Sequence, residues 1–367
     1  IEIPDQINEN PDLKLSDDEV QYDVEQVIYA LETAYSGRKF LPEGEHSQLI
    51  KNLKKISETQ IASELCLAID KYLDSVSDNH LNAKFNNKNC YTPESPRKAS
   101  VGENFYTKTK DVPWKVKLAK KKGKTALLIS IVSFPSHKDP IWNGFLESVK
   151  KNLSKVQFII LDMRGNGGGD DSFGARLSDL LAGKKLKSPY GPQWTSQTPE
   201  SSQVFVNAFE GWMRMMEKDG KQRPPHLIGL KQKFEEKRDK ALSEGLPEWN
   251  KERFNNDEGG FESEKSIKKP IYILVDAGCG SSCESTIDFF EFNTYAKTVG
   301  ENTAGYIHYG NNGKVFLKNS GIAVQMAISF NKYFDDRMIE KIGITPKIKV
   351  PSGKDAMDYA WNDFFKK

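Results

Sequence analysis

The chain has 367 residues, of which 37% are hydrophobic and 28% are charged. Its 53 basic and 51 acidic side chains leave a net charge of +2, which argues against a dedicated nucleic-acid binder and against a chain kept disordered by charge. The length corresponds to about two domains or to one large α/β domain. No apolar run reaches the ~18 residues of a membrane-spanning helix. The start lacks Met and any signal-like pattern, so we expect a mature chain whose signal has been removed.

The first predicted element is a helical region that ends in the segment SDNHLNAKF. Ser16 and Glu19 form an S-x-x-E capping box, so we expect a helix to begin there. A second helix is predicted over residues 57–73, because its apolar residues recur with helical spacing. Residues 85–112 are rich in Asn, Lys, Pro and Ser, which indicates a loop.

After residue 113, predicted strands alternate with helices, which indicates an α/β fold. Residues 114–134 are typical of two strands joined by a Lys/Gly turn. The segments VQFIILDM and PIYILVDAG are typical of buried strands, and each is followed by a predicted helix. Further strands are predicted near residue 315 and over 322–330 and 344–350. We therefore divide the chain into an N-terminal helical region (1–84), a loop or linker (85–113), a core (114–185 and 268–352), a polar helical insertion or lid (186–267) and a C-terminal helix (353–367).

The four cysteines do not indicate a disulfide scaffold at this length. Cys66 and Cys90 either pair in an oxidising compartment or stay free, and a buried thiol is favoured for Cys66 because its neighbours are helical and apolar. Cys279 and Cys283 have a spacing that metal ligands could use. No second Cys/His pair with zinc-type spacing accompanies them, so we expect no metal site.

A glycine-rich turn, LDMRGNGGGDD, separates one buried strand from the helix that follows. Glycine permits positive φ, so backbone N–H groups can point into a cleft, and the helix adds its positive N-terminal end. The turn suits an oxyanion better than a phosphate, because it matches neither the P-loop nor the dinucleotide-binding pattern. A tight turn without a ligand is the alternative interpretation.

A second junction, VDAGCGSSCES, places Ser281 where a buried strand enters a helix. This is the general geometry of a nucleophile elbow, although G-x-S-x-G is absent. Plain helix capping, with Ser281 as N-cap and Glu284 three residues later, is the interpretation that this motif by itself slightly favours. A Ser nucleophile needs a base, and spacing alone leaves both His80 in SDNH and His308 in GYIHYGNNG as candidates.

Four blocks resemble, in order and spacing, the C-terminal processing peptidases (tail-specific proteases), and best of all their tricorn-like branch. The blocks are LDMRGNGGG, ILVDAGCGSSCES, KTVGENTAG and EKIGITPKIKV. The resemblance covers residues 16–185 and 268–352. It implies a serine peptidase with an α/β core, a crotonase/ClpP-like ββα spiral. The lysine-dependent branch carries its base in T-x-G-K-G. This chain has Tyr306 at the position of that lysine, so the Ser/Lys mechanism is not expected.

The resemblance implies Ser281 as the nucleophile, with Ser282 as the neighbouring alternative. His80 matches the base of the tricorn-like branch. Glu340, which precedes a Gly-Ile-x-Pro segment, would stabilise the imidazolium directly or through Asn79 as an auxiliary residue. The oxyanion hole would use the backbone N–H groups of Gly168, Gly167 and Ser282.

The family often has a PDZ domain after its helical segment. Here only about 33 residues separate His80 from the first core strand, which is too few for such a domain. The resemblance therefore predicts a PDZ-free serine endopeptidase that acts on unfolded or C-terminal polypeptide segments without metal or cofactor. The expected partner is its polypeptide substrate, and no nucleic acid is expected. The alternatives are a non-catalytic protein that binds peptides or hydrophobic ligands on the same core and, less favoured, an enzyme acting on acyl-CoA. Family members are commonly periplasmic or secreted, and we expect the same here.

Overall fold

The computed structural model describes residues 1–57, 61–91, 100–106, 112–136, 139–253, 265 and 269–366. Its helices are α1 Asp17–Thr33, α2 Gly37–Phe40, α3 Glu45–Leu53, α4 Ala62–Leu73, α5 Ile141–Leu153, α6 Asp171–Ala182, α7 Pro199–Lys218, α8 Pro225–Glu244, α9 Ser282–Asn293 and α10 Ala356–Phe365. Its strands are β1 Asn82–Phe85, β2 Lys88–Asn89, β3 Trp114–Lys121, β4 Lys124–Ile131, β5 Phe158–Asp162, β6 Tyr190–Ser196, β7 Trp249–Arg253, β8 Ile271–Val275, β9 Lys297–Gly300, β10 Tyr309–Phe316, β11 Ala323–Tyr333 and β12 Ile348–Lys349.

The chain forms two compact units, each assembled from three separated segments. The first unit comprises residues 1–94, 192–252 and 308–331, and the second comprises 95–191, 253–307 and 332–367. Strands and helices alternate in the second unit, which confirms the predicted α/β class. Residues 308–331, which the sequence analysis places in the core, belong to the first unit.

Helices and one sheet make up the first unit. Helix α1 begins with the predicted capping box, in which Ser16 accepts from the N–H of Glu19 and the Glu19 carboxylate accepts from the N–H of Ser16. Its apolar face packs with that of α4 and with strand residues such as Val324 in one buried cluster. The sheet order is β2-β1-β11-β6-β7, with β10 also paired to β11.

A six-stranded sheet with the order β12-β9-β8-β5-β4-β3 forms the second unit. Strands β3 and β4 are an antiparallel hairpin, as predicted, and the pairs from β4 to β12 are parallel. Alternate residues of a strand face opposite sides of the sheet. Ile159 and Leu161 therefore pack with α5, α6 and α9, whereas Phe158 and Ile160 pack with α10.

Several local predictions were wrong or incomplete. Residues 82–89, within or next to the predicted loop, form the β1–β2 hairpin, whose turn residues Asn86 and Asn87 have φ of 49° and 62°. Asparagine tolerates such angles better than other non-glycine residues, which explains the tight turn. Helix α4 begins at Ala62, and residues 58–60 of the helix predicted there lie outside the described residues. The strand predicted over 344–350 is only β12.

Both cysteine pairs are disulfides. Cys66 on α4 joins Cys90, with Cα atoms 5.6 Å apart, so the free buried thiol favoured for Cys66 is wrong. Cys279 joins Cys283 across the start of α9, with Cα atoms 5.5 Å apart. Within the part of the chain that the structure describes, no helix combines the length and apolarity needed to cross a membrane.

Candidate active site

The two strand-to-helix junctions of the second unit lie side by side. Strands β5 and β8 are parallel neighbours, so the turns that follow them emerge at the same edge of the sheet. The Asp276 carboxylate accepts hydrogen bonds from the N–H groups of Gly165, at 2.8 Å, and Gly278, at 2.9 Å. The N–H of Gly280 donates to the carbonyl of Asn166 at 3.1 Å. The glycine-rich turn and the turn before α9 are therefore cross-linked by hydrogen bonds.

Ser281 has an unusual backbone conformation at the start of α9. Its φ is 56° and its ψ is −120°, a region that side-chain-bearing residues rarely adopt. Such strain costs about 1–3 kcal/mol and persists only where the surroundings impose it. Ser281 is half-buried, whereas every residue of α9 from Ser282 to Phe290 is buried. A strained, accessible Ser between a strand and a helix is the arrangement that nucleophile elbows use.

Glu284 holds this turn in place. Its fully buried carboxylate accepts from the N–H of Ser281 at 3.1 Å and from the Thr303 hydroxyl at 2.5 Å. It also accepts from the N–H groups of Gly305 and Tyr306, both at 2.7 Å. Desolvation raises the pKa of Glu284, and these hydrogen bonds oppose that effect. The predicted capping residue thus connects the Ser281 turn to the loop at 303–306.

Gly168 faces Ser281 directly. Its φ is +96°, and a Cβ placed on it would lie 2.9 Å from both the Ser281 Cβ and the Ser282 nitrogen. Only glycine leaves this space open. The N–H of Gly168 donates to Asn166 Oδ1 at 2.9 Å, whereas the N–H of Ser282 is among the first of α9, which have no intrahelical acceptor. Gly167 is exposed in the same turn.

The hydroxyl of Ser282 is used within the scaffold. Ser282 is buried, and its Oγ donates to the carbonyl of Gly169 at 2.7 Å. A hydroxyl committed in this way ties α9 to the glycine-rich turn. Of the two adjacent serines, Ser281 is therefore the better candidate nucleophile.

Glu340 lies in a turn that packs on the same loop. Its side chain is buried. The N–H of Gly343 donates to the carbonyl of Ile339 at 2.8 Å, and the N–H of Lys341 donates to that of Gly305 at 3.1 Å. Because the N–H of Gly305 is bound by Glu284, the segment that carries Glu340 is linked to the Ser281 junction within the second unit.

His80 and Asn79 belong to the first unit. The N–H of His80 donates to Asp78 Oδ1 at 2.7 Å, and its carbonyl accepts from the side-chain amides of Asn82, at 2.9 Å, and Gln325, at 3.0 Å. His80 is buried, and Asn79 in the preceding turn is half-buried. Burial lowers the pKa of His80 to about 4, and the Lys84 ammonium adds to the effect. The imidazole is therefore neutral at neutral pH.

The other candidate histidine is part of the core of the first unit. His308 is fully buried, its Nδ1 lies 2.9 Å from the carbonyl oxygen of Asn331, and its ring stacks on Phe330. These contacts explain its presence without a catalytic role. Sequence reasoning missed Asp276 and Asn166, which hold the two turns together. Both lie within the sequence blocks that carry the family resemblance, in the turns that follow β5 and β8.

The chain was compared with known proteins by sequence profile and by fold. The sequence profile of Peptidase family S41 matches residues 125–350. No curated protein sequence matches the chain significantly. A candidate peptidase of solved structure from Parabacteroides merdae is similar over 94% of this chain and 96% of its own, with a TM-score of 0.59 and 13% identity. Mature CPAF complexed with lactacystin is similar over 95% and 96%, with a TM-score of 0.54 and 12% identity. At these identities the structural likeness shows the fold, and the profile match over most of the chain shows that it belongs to Peptidase family S41.

Proposed function

We propose that this chain is a serine endopeptidase that cleaves unfolded or C-terminal polypeptide segments through an acyl-enzyme. The observation that carries the proposal is Ser281, strained at the start of α9 and facing an open glycine turn. A helix cap alone needs no positive φ, because capping residues usually have extended backbone angles. The strain at Ser281 therefore supports a nucleophile over a plain cap.

In the proposed mechanism, His80 accepts the proton of Ser281 Oγ as that oxygen attacks the peptide carbonyl. The same proton then passes to the leaving amine, and water hydrolyses the acyl-enzyme by the reverse sequence. A base must be neutral to accept a proton, and the lowered pKa of His80 keeps it so at neutral pH. Glu340, with Asn79 as an auxiliary group, is proposed to stabilise the imidazolium. No metal or cofactor enters these steps.

We propose that the oxyanion is stabilised by the N–H of Ser282 and by the glycine turn at Gly167 and Gly168. Each such donor is worth about 3 kcal/mol in serine proteases. The N–H of Gly168 already donates to Asn166, so it serves an oxyanion as a shared, three-centre donor. The positive N-terminal end of α9 adds to the stabilisation.

A periplasmic or secreted location is part of the proposal. The disulfides Cys66–Cys90 and Cys279–Cys283 support it, because disulfides persist mainly in oxidising compartments. Polypeptide is the proposed substrate and partner.

The test compares the parent chain with Ser281→Ala and with the matched control Ser282→Ala. Labelling by a fluorophosphonate and cleavage of an unfolded protein such as reduced casein are measured on each. We expect Ser281→Ala to abolish both, and Ser282→Ala to retain labelling. His80→Ala should retain the fold but lose labelling, because the hydroxyl is no longer activated. Unchanged cleavage by Ser281→Ala would refute the assignment.

A further inference from the structure

The first unit contains a cavity of about 400 Å³ that the proposed catalysis does not use. Helix α7, the β1–β2 hairpin and strands β10 and β11 contribute to its walls. Gly211 allows α7 to approach β10 closely, since a Cβ there would lie 2.6 Å from the Phe316 ring. The apolar wall consists of Trp212, Met215, Phe316 and Ala323. This volume is within the range of small-molecule sites.

Two lysines line the cavity, one on β1 and one on β10, and both of these strands pair with β11. Lys84 pairs in register with Ala323, and Lys314 with Gln325, two residues further along β11. Because side chains alternate along a strand, both lysines lie on the same face of the sheet. The Lys314 ammonium lies 5.9 Å from the centre of the Trp212 ring.

Neither lysine forms an ion pair with any residue that the structure describes. Lys314 is only 9% exposed and Lys84 is half-buried. Lysine is rarely buried without an acidic partner, because an unpaired ammonium loses its hydration. Burial, together with the nearby Lys84 ammonium, lowers the pKa of Lys314 to about 8. Burial also lowers the pKa of Lys84, and Asp70 opposes this only in part. The Asp70 carboxylate is itself engaged, since it accepts from the N–H groups of Ala83 and Tyr91.

The other charged groups of the cavity are engaged or lie at its edge. Arg214 donates to Glu210 and to the carbonyls of Pro4 and Asp5. Lys218 pairs with Glu9, and Asp5 and Glu9 are exposed. The buried part of the cavity thus presents two ammonium groups beside an apolar, partly aromatic wall.

We propose that this cavity binds an organic anion, namely a carboxylate attached to an apolar or aromatic group. Lys84 and Lys314 hold the carboxylate, and Trp212 and Phe316 pack against the apolar part. Such a ligand compensates one buried and one half-buried ammonium group and covers apolar surface, whereas inorganic phosphate would leave that surface exposed to water. The ligand is either a free acid or the C-terminal residue of a polypeptide. The inference goes beyond the proposed peptidase function and does not depend on it.

The first test measures binding by titration calorimetry on Ser281→Ala, so that no peptide is cleaved. N-acetyl-L-phenylalanine, its neutral amide and inorganic phosphate are compared. We expect the acid to bind at least tenfold more tightly than either of the others. Equal binding of the amide would show that the lysines do not recognise charge, and equal binding of phosphate would show that the apolar wall contributes nothing. Either result would overturn the proposal.

Two peptides that end in Phe, one with a free C-terminus and one amidated, identify the source of the carboxylate. Tighter binding of the free-ended peptide than of the small acid supports a polypeptide terminus. Binding of the small acid alone supports a free acid. If neither the free-ended peptide nor the small acid binds, the proposed site is refuted.

A third measurement uses Lys314→Met, Lys84→Met and the control Lys318→Met, which changes an exposed lysine outside the cavity. Each of the first two should weaken binding of the acid at least tenfold, and the control should not. Without ligand, Lys314→Met should unfold at the same or a higher temperature, because it removes an uncompensated buried charge. The acid should raise the unfolding temperature of the parent but not of Lys314→Met. Undiminished affinity in both cavity variants would contradict the proposal.

Discussion

The carboxylate of Glu284 accepts a hydrogen bond from the N–H of Ser281, 3.1 Å away, and so fixes the residue that we propose as the nucleophile. The same carboxylate binds the loop at 303–306 through three further donors. One buried side chain thereby sets the conformation of the turn and its position against the loop. These hydrogen bonds help to hold Ser281 at its strained φ.

Replacement of this carboxylate by an amide tests its positioning role. Glu284→Gln directs an NH₂ group at backbone donors, and we expect a loss of about 1–3 kcal/mol in the free energy of unfolding. The value of kcat should fall by about tenfold or more, because a turn that relaxes misplaces the hydroxyl. Urea unfolding and peptide cleavage measure the two effects. Glu244→Gln, on the exposed end of α8, should change neither, and an unaltered kcat in Glu284→Gln would contradict the positioning role.

Gly168 and Gly165 provide a matched pair in one turn. Both have positive φ, at +96° and +72°, so alanine costs each about 1 kcal/mol of backbone strain. Only at Gly168 does the added methyl group meet other atoms, the Ser281 Cβ and the Ser282 nitrogen. We expect Gly168→Ala to lose peptidase activity at least a hundredfold and Gly165→Ala to retain most of it. Equal losses in kcat would argue that strain, not access to the oxyanion site, matters.

The two disulfides should differ in what they contribute. From the lengths of the loops that they close, Cys66–Cys90 contributes about 3.5 kcal/mol to stability and Cys279–Cys283 about 2 kcal/mol. Only the second spans the Ser281 turn. We expect Cys66→Ala/Cys90→Ala to lower stability with kcat retained, and Cys279→Ala/Cys283→Ala to lower kcat for a smaller loss of stability. Denaturant unfolding and cleavage rates, measured on both double variants, check this contrast.

Stability should fall in mild acid because of His80. Its pKa is lowered from 6.5 to about 4 in the folded chain, so between these values the unfolded chain binds a proton that the folded chain does not. This contribution is complete above pH 6.5 and is lost as the pH falls towards 4. Relative to His80→Gln, the parent should lose about 2–3 kcal/mol of unfolding free energy between about pH 7.5 and pH 4.5. Urea unfolding at both pH values measures the difference, and parallel curves would show that His80 is not buried neutral.

Elements that depend on local sequence patterns were predicted from the sequence, whereas elements that depend on long-range pairing were not. Buried strands such as β5 and β8, and the capped helix α1, have local apolar patterns, so the sequence predicted them well. Strand β1 was missed because it pairs with β11, which lies far along the chain. The composition of separate residues cannot indicate such long-range pairing.

The candidate site shows the same limit. The glycines and Ser281 were recognisable because turns and helix starts have local signatures. The contacts of Glu284 with Gly305, and of Asp276 with Gly165, join residues that are distant in sequence. Glu284 looked like an ordinary helix-capping residue, since only the folded chain shows its additional donors.

The positive φ of Ser281 implies that catalytic activity and thermal stability make opposite demands on this position. Glycine has no Cβ to clash at φ 56°, so Ser281→Gly should unfold at a higher temperature while cleaving nothing. Differential scanning calorimetry can check this expectation directly. Selection for thermal stability alone would favour glycine over serine at this position. Retention of the serine would then reflect a trade-off in which the chain gives up part of its stability to keep a reactive hydroxyl.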